Sequence, residues 1–214
     1  MRPIVVKVGP LASAVVNNIA ASQSPGAAGT LTLNGTLVTG GVATLDTPRQ
    51  VLITTATAIS FTITGTDWAG SPISETVTNA SSSVASVLSY ATVAKITNSA
   101  AGTAITVGTN GVADSPWVFF DAYGLGPTTV QANVTGTANY TLWTSNDDPN
   151  SPTNPVNPNA MNWSTALSPM VATAASAQGF IEAPFLWAKV TLNSATAATS
   201  YVTTTFVQFA NAPL

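Results

Sequence analysis

Apolar and polar positions alternate along most of this chain. In FTITGTDW, Phe61 and Ile63 fall on one side of an extended backbone and Thr62 and Thr64 on the other, because successive side chains of a strand point to opposite faces. The same short-strand character runs through TLTLNGTLV, GVATLDTPRQVLITTA, PISETVTN, VLSYATVAKITNS and TAITVGTNG, each bounded by Gly, Pro, Asn or Asp. A second set follows in WVFFDAYG, TTVQANVTG, NYTLWTSND, FIEAPFLWAKVTLNS and SYVTTTFVQFA. Short strands separated by turn residues predict a sandwich or a barrel. Between the sets, the turn cluster NGVADSP predicts a domain boundary.

The expected fold is all-β, with two β-sandwich domains of jelly-roll or Ig-like type. Residues 1–28 lack clean periodicity and end in SQSPGAAG, so an extended N-terminal arm is expected there. The first domain is expected over 29–112 and the second over 113–214, with a long Pro/Asn-rich loop at 146–170. That loop carries Pro149, Pro152, Pro155, Pro158 and Pro169. Proline donates no ladder hydrogen bond, so the segment cannot form a central strand.

Composition sharpens this picture. Only 6% of residues are charged, against roughly a quarter in an ordinary soluble domain. Thr, Ser, Ala, Asn and Gly stand in their place, and 45% of residues are hydrophobic, which argues against disorder. The five basic residues (Arg2, Lys7, Arg49, Lys95 and Lys189) are scattered, so no patch for neutralising phosphates and no nucleic-acid partner are expected. A net charge of −3 gives copies of the chain little mutual repulsion, which favours a homo-oligomer.

The chain has no Cys and no His. Disulfides, thiolate nucleophiles, imidazole bases and His- or Cys-ligated zinc are therefore excluded. The N-terminus loosely imitates a signal peptide, but Pro3, Lys7, Gly9, Pro10, Asn17 and Asn18 interrupt its apolar stretch. No run approaches the length of a transmembrane helix, so the expectation is a soluble protein with no membrane partner.

Leu45, Thr47, Arg49, Val51 and Ile53 share one face of their strand, and Ile73, Glu75 and Val77 share one of theirs. Arg49 and Glu75 thus lie on otherwise apolar faces. Burying either alone costs several kcal/mol, so a structural ion pair between them is expected. A catalytic Glu75 is the competing reading, and it lacks a second catalytic group. Asp67 is expected to shape a turn in GTDWAGSP. NDDPN could offer oxygen ligands to calcium, but it lacks the D-x-[DN]-x-[DN]-G loop, and Asp-Pro starts ordinary turns.

Trp in a sandwich is more often core than surface. Trp68 at a turn and Trp163 in the long loop are the better interface candidates. Met161 and Met170 in that loop, and Ile4, Val5 and Val6 in the arm, complete the set. The Gly-rich stretches do not open helices, and no G-x-S-x-G elbow is present. No catalytic residue, cofactor-binding residue or metal ligand is assigned.

LDTPRQVLITT, FTITGTDWAGSPISETVT and VAKITNSAAGTAITVGTNG, in that order, resemble a pattern found in structural proteins of tailed bacteriophage particles. NYTLWTSNDDPN and APFLWAKVTLNS resemble the companion domain of the same proteins. With GPLASAVVNNIAASQSPGAAGTLTLNG the resemblance spans most of the chain. It implies a non-enzymatic virion component, assembled in the host cytoplasm. The implied role is a capsid decoration (cement) protein that binds the head shell as an oligomer, or else a head–tail connector or tail accessory protein. The implied partners are the major capsid protein or other virion proteins and further copies of the chain. The rival from another class is a carbohydrate-binding module of a receptor-binding tail structure, which requires an exposed aromatic platform.

Overall fold

In the computed structural model, residues 3–120, 127–165, 167–182, 185–195 and 199–208 are described. Arg2 and parts of WVFFDAYG, FIEAPFLWAKVTLNS and SYVTTTFVQFA lie outside them. The fold is all-β: no α-helix occurs among the described residues. The chain forms two compact units, an inserted one of Ala12–Gly111 and a host one of Met1–Leu11 with Val112–Leu214.

The host unit begins with β1 (Ile4–Val8). The inserted unit carries β2 (Val15–Gln23), β3 (Gly29–Thr30), β4 (Val38–Thr39) and β5 (Val42–Thr54). It continues with β6 (Ala58–Thr66), β7 (Pro72–Ala80) and β8 (Ser83–Asn98), and β9 (Ile105–Asp114) runs across the boundary. The host unit resumes with β10 (Val118–Phe119), β11 (Thr128–Thr135) and β12 (Ala138–Ser145). It ends with β13 (Ala177–Ile181), β14 (Trp187–Ala195) and β15 (Tyr201–Gln208).

In the inserted unit the strand order is β9-β5-β8-β6-β7, with β2 on β9, β3 on β8 and β4 on β5. β6 and β7 form an antiparallel hairpin that pairs Phe61 with Val77 and Ile63 with Glu75. Its inward positions, Phe61, Ile63, Ile73 and Val77, join Val51, Ile53, Tyr90 and Ile96 in one core. On its other face Ser60 meets Thr78 at 3.0 Å and Thr62 meets Thr76 at 2.9 Å. Cross-strand hydroxyl pairs of this kind stabilise a sheet as opposite charges do, which is how the face manages with few charges.

TLTLNGTLV does not form the expected strand. Only its margins pair, as β3 and β4. Between them Gly35 and Leu37 donate to the carbonyls of Ile19 and Asn18, and the Asn34 side chain accepts from the Ala21 amide. Local turn chemistry at Asn34–Gly35 has displaced the alternation.

In the host unit, one sheet has the order β1-β15-β11-β13. The other strands are β10 and β12 on either side of β14, with the last residues of β9 also meeting β14 at Asp114 and Thr191. Val8, Val130, Val202 and Phe206 from the first sheet share a core with Tyr140, Leu142, Val190 and Leu192 from the second group. The arrangement is sandwich-like.

The N-terminal arm expected over 1–28 is absent as such. Residues 4–8 are a strand paired with β15, with Val6 and Val8 in the core, and Val15–Gln23 belong to the inserted unit. The alternation of IVVKV is that of a half-buried strand, but its partner lies at the other end of the sequence.

Candidate functional site

Arg49 and Glu75 hold the backbone of the inserted unit. Arg49 is 1% exposed. Its Nη1 donates to the Ala12 carbonyl at 2.9 Å and to Asp46 Oδ1 at 3.1 Å, and its Nη2 donates to the Asn110 carbonyl. Glu75 faces elsewhere. Its carboxylate accepts from the Val87 amide at 2.8 Å and the Leu88 amide at 2.9 Å.

The expected Arg49–Glu75 pair is therefore replaced by an Arg49–Asp46 pair. Alternation correctly puts Arg49 on the buried side of β5. It does not reveal that β8 and β6 stand between β5 and β7 in the strand order. Burial, and secondarily the charge of Glu75, raise the Tyr90 hydroxyl well above its ordinary pKa. That hydroxyl donates to the Ile63 carbonyl.

Asp67 shapes its turn. Its Oδ1 accepts from the amides of Ala69 at 2.8 Å and Ser71 at 2.9 Å. The NDDPN acids are likewise spent on loop backbone: Asp148 accepts from Asn150, and Asp147 accepts from the amide and side chain of Asn162. Among the described residues no group of three or more His, Cys, Asp or Glu could hold a metal ion.

In the host unit, Lys189 Nζ bonds Asp114 Oδ2 at 2.8 Å and lies 4.7 Å from the centre of the Trp163 ring. Trp163 and Trp117 meet edge to face at 5.1 Å, Trp117 and Trp187 at 6.2 Å, and Phe119 is tilted on Trp187 at 5.0 Å. Ring faces here meet ring edges or an ammonium group. All five tryptophans are buried or half-buried.

The interface candidates separate accordingly. Met170 is 0% exposed in the host core and Met161 is buried, which corrects their expected surface role. A short 3-10 turn at Ser168–Met170 brings Met170 into the host core, against which Leu167 also packs. Val6 is buried, and Trp68 and Trp163 are half-buried. Ile4 and Val5 remain at the surface, 40% and 59% exposed.

The open surface is the outer face of the β1-β15-β11-β13 sheet. Val6, Thr204 and Ala132 point inward, so their strand neighbours point out. Val5, Thr205, Gln131 and Gln178 form one cross-strand row on that outer face. Phe180, paired with Thr129, is 60% exposed. Lys7 folds over the Tyr201 ring at 3.9 Å. At the β11–β13 end, Gln131, Asn133, Ser176 and Gln178 line a shallow groove of about 190 Å³.

Sequence reasoning missed Gln131, Asn133, Gln178 and Phe180. The alternation in TTVQANV already sets the two polar side chains opposite Val130 and Ala132. Nothing local says that this face stays uncovered.

No helix among the described residues is long and apolar enough to cross a membrane. Compared with known proteins, the chain matches no family model, no curated protein and no solved structure.

Proposed function

We propose that this protein is a non-enzymatic structural component of a tailed bacteriophage particle, a decoration (cement) protein that binds the head shell as an oligomer. The resemblance of LDTPRQVLITT, FTITGTDWAGSPISETVT and VAKITNSAAGTAITVGTNG supports the class. The observation that carries the mode of action is β1. It stands at the edge of its sheet, pairs with β15 on one side, and keeps Ile4 and Val5 exposed.

Such an edge accepts a further strand from a neighbouring subunit, with main-chain hydrogen bonds for affinity and alternate side chains for fit. Lys7, the charge that would guard this edge, is drawn onto Tyr201. Repetition of a weak contact around a symmetry axis multiplies its strength. The use of Arg49, Glu75, Asp67 and Asp147 as backbone anchors agrees with a role without catalysis.

Electron microscopy of purified particles, with the protein marked by antibody, tests this. Regular label over the head shell is the expected result. Label confined to the tail vertex replaces decoration with the connector or tail role, and particles without the protein overturn the virion reading. In solution, light scattering is expected to show an oligomer that Val5→Glu converts to monomer.

A further inference from the structure

We infer that the groove at the β11–β13 end of the outer sheet face binds a neutral oligosaccharide. Its polar lining consists of the exposed side chains of Gln131, Asn133 and Gln178 with the Ser176 hydroxyl. A primary amide presents a donor and an acceptor side by side, the pattern that two adjacent sugar hydroxyls complement. The amides belong to neighbouring strands: Gln131 is paired with Gln178, and Asn133 lies two residues further along the same face. Ser176 Oγ accepts from the Val134 amide, which holds its oxygen in place and leaves its proton to donate.

An aromatic surface stands beside the amides. Phe180 is two residues from Gln178, on the same face of β13, and 60% exposed. Its ring offers an apolar face to the C–H side of a pyranose. The volume, about 190 Å³, lies below the usual range for drug-sized ligands, roughly 300–1,000 Å³, and suits one sugar ring of a longer chain.

The lining holds neither carboxylate nor ammonium, so it has no means of selecting an ionic ligand. A protein partner would gain more from the apolar β1 edge than from a small concave patch of amides. No tryptophan lines the groove. This site stands apart from the virion reading and does not depend on it.

The test uses the full chain and four neutral probes: maltohexaose, cellohexaose, chitohexaose and mannohexaose, titrated by calorimetry, with heparin as the anionic comparison. Binding of at least one neutral probe is expected, weakened about tenfold or more, roughly 1.4 kcal/mol, by either Gln178→Ala or Phe180→Ala. Both substitutions are on the solvent face, and an unchanged melting curve confirms that each variant is folded. Lys7→Ala is expected to leave binding as it was. The inference is overturned if no neutral probe binds at millimolar concentration, if heparin binds as well as any of them, or if the Gln178→Ala and Phe180→Ala variants both bind like the parent.

Discussion

Arg49 and Asp46 form an ion pair at 3.1 Å although they lie three residues apart on one strand. On a regular strand such positions point to opposite faces. Here β5 is irregular. Thr44 pairs with Thr92 and Arg49 with Tyr90, so the residues between them on β5 outnumber those on β8. Pro48, which cannot donate to the ladder, sits in this bulge. The pair also fastens the ends of the inserted unit: Asp46 accepts from the Ala12 amide, and Arg49 donates to the carbonyls of Ala12 and Asn110.

Arg49→Met is expected to destabilise the inserted unit by about 1–3 kcal/mol, because the Ala12 and Asn110 carbonyls lose a charged donor while Asp46, a third exposed, turns to water. Arg49→Lys should recover little, because one ammonium cannot reproduce the planar fork that reaches three acceptors. Urea denaturation reads both effects. A double-mutant cycle with Asp46→Ala is expected to give a larger coupling than one with Glu75→Gln; the reverse order would restore the pairing expected from sequence.

Glu75 satisfies two amides of β8. Glu75→Ala is expected to cost about 1 kcal/mol, the usual net worth of a hydrogen bond, since Val87 is 80% exposed and its amide turns to water. Amide hydrogen exchange should accelerate locally at Val87 and Leu88. Acceleration spread evenly over the unit would point to a global loss instead.

Gly65 and Gly108, like Gly35, mark close backbone approaches. A Cβ at Gly65 would collide with the Thr92 carbonyl, and one at Gly108 with the Val15 carbonyl. Neither obstacle is a flexible side chain. Gly65→Ala and Gly108→Ala are each expected to cost more than about 3 kcal/mol, beyond ordinary overpacking. Gly26→Ala, which meets nothing within 4 Å, should leave the thermal midpoint nearly unchanged.

Alkaline pH should weaken both units. Burial raises Tyr90 and Tyr140 above the ordinary tyrosine value, about 10 in an unfolded chain. Below that value both states hold the proton and the stabilisation is fully present. Above it the unfolded chain releases protons that the folded chain keeps, so stability falls until the folded pKa is passed. The limiting slope is about 1.4 kcal/mol per pH unit for each tyrosine. Tyr90→Phe should flatten the decline in denaturant titrations between neutral and strongly alkaline pH.

Much of the fold is legible in local pattern. FTITGTDWAGSPISETVT carries its hairpin openly: Phe61 and Ile63 point inward, hydroxyls point outward, and Asp67 closes the turn. Each of these follows from the period of a strand and the chemistry of one side chain, both of which are local. The buried side of Arg49 is legible for the same reason.

Partnership is not local. The pairing of β1 with β15, the insertion of one unit within the other, and the choice of Asp46 over Glu75 all depend on which strands become neighbours. Alternation assigns a face to a residue but leaves open what that face meets. By itself, the sequence determined an all-β chain, poor in charge, whose strands have one apolar side. The tertiary structure decided that Met170 is core, that Val5 is surface, and that Gln131, Gln178 and Phe180 share one open face. The physical reason is that burial is settled between strands far apart in sequence, where the chain pattern carries no distance information.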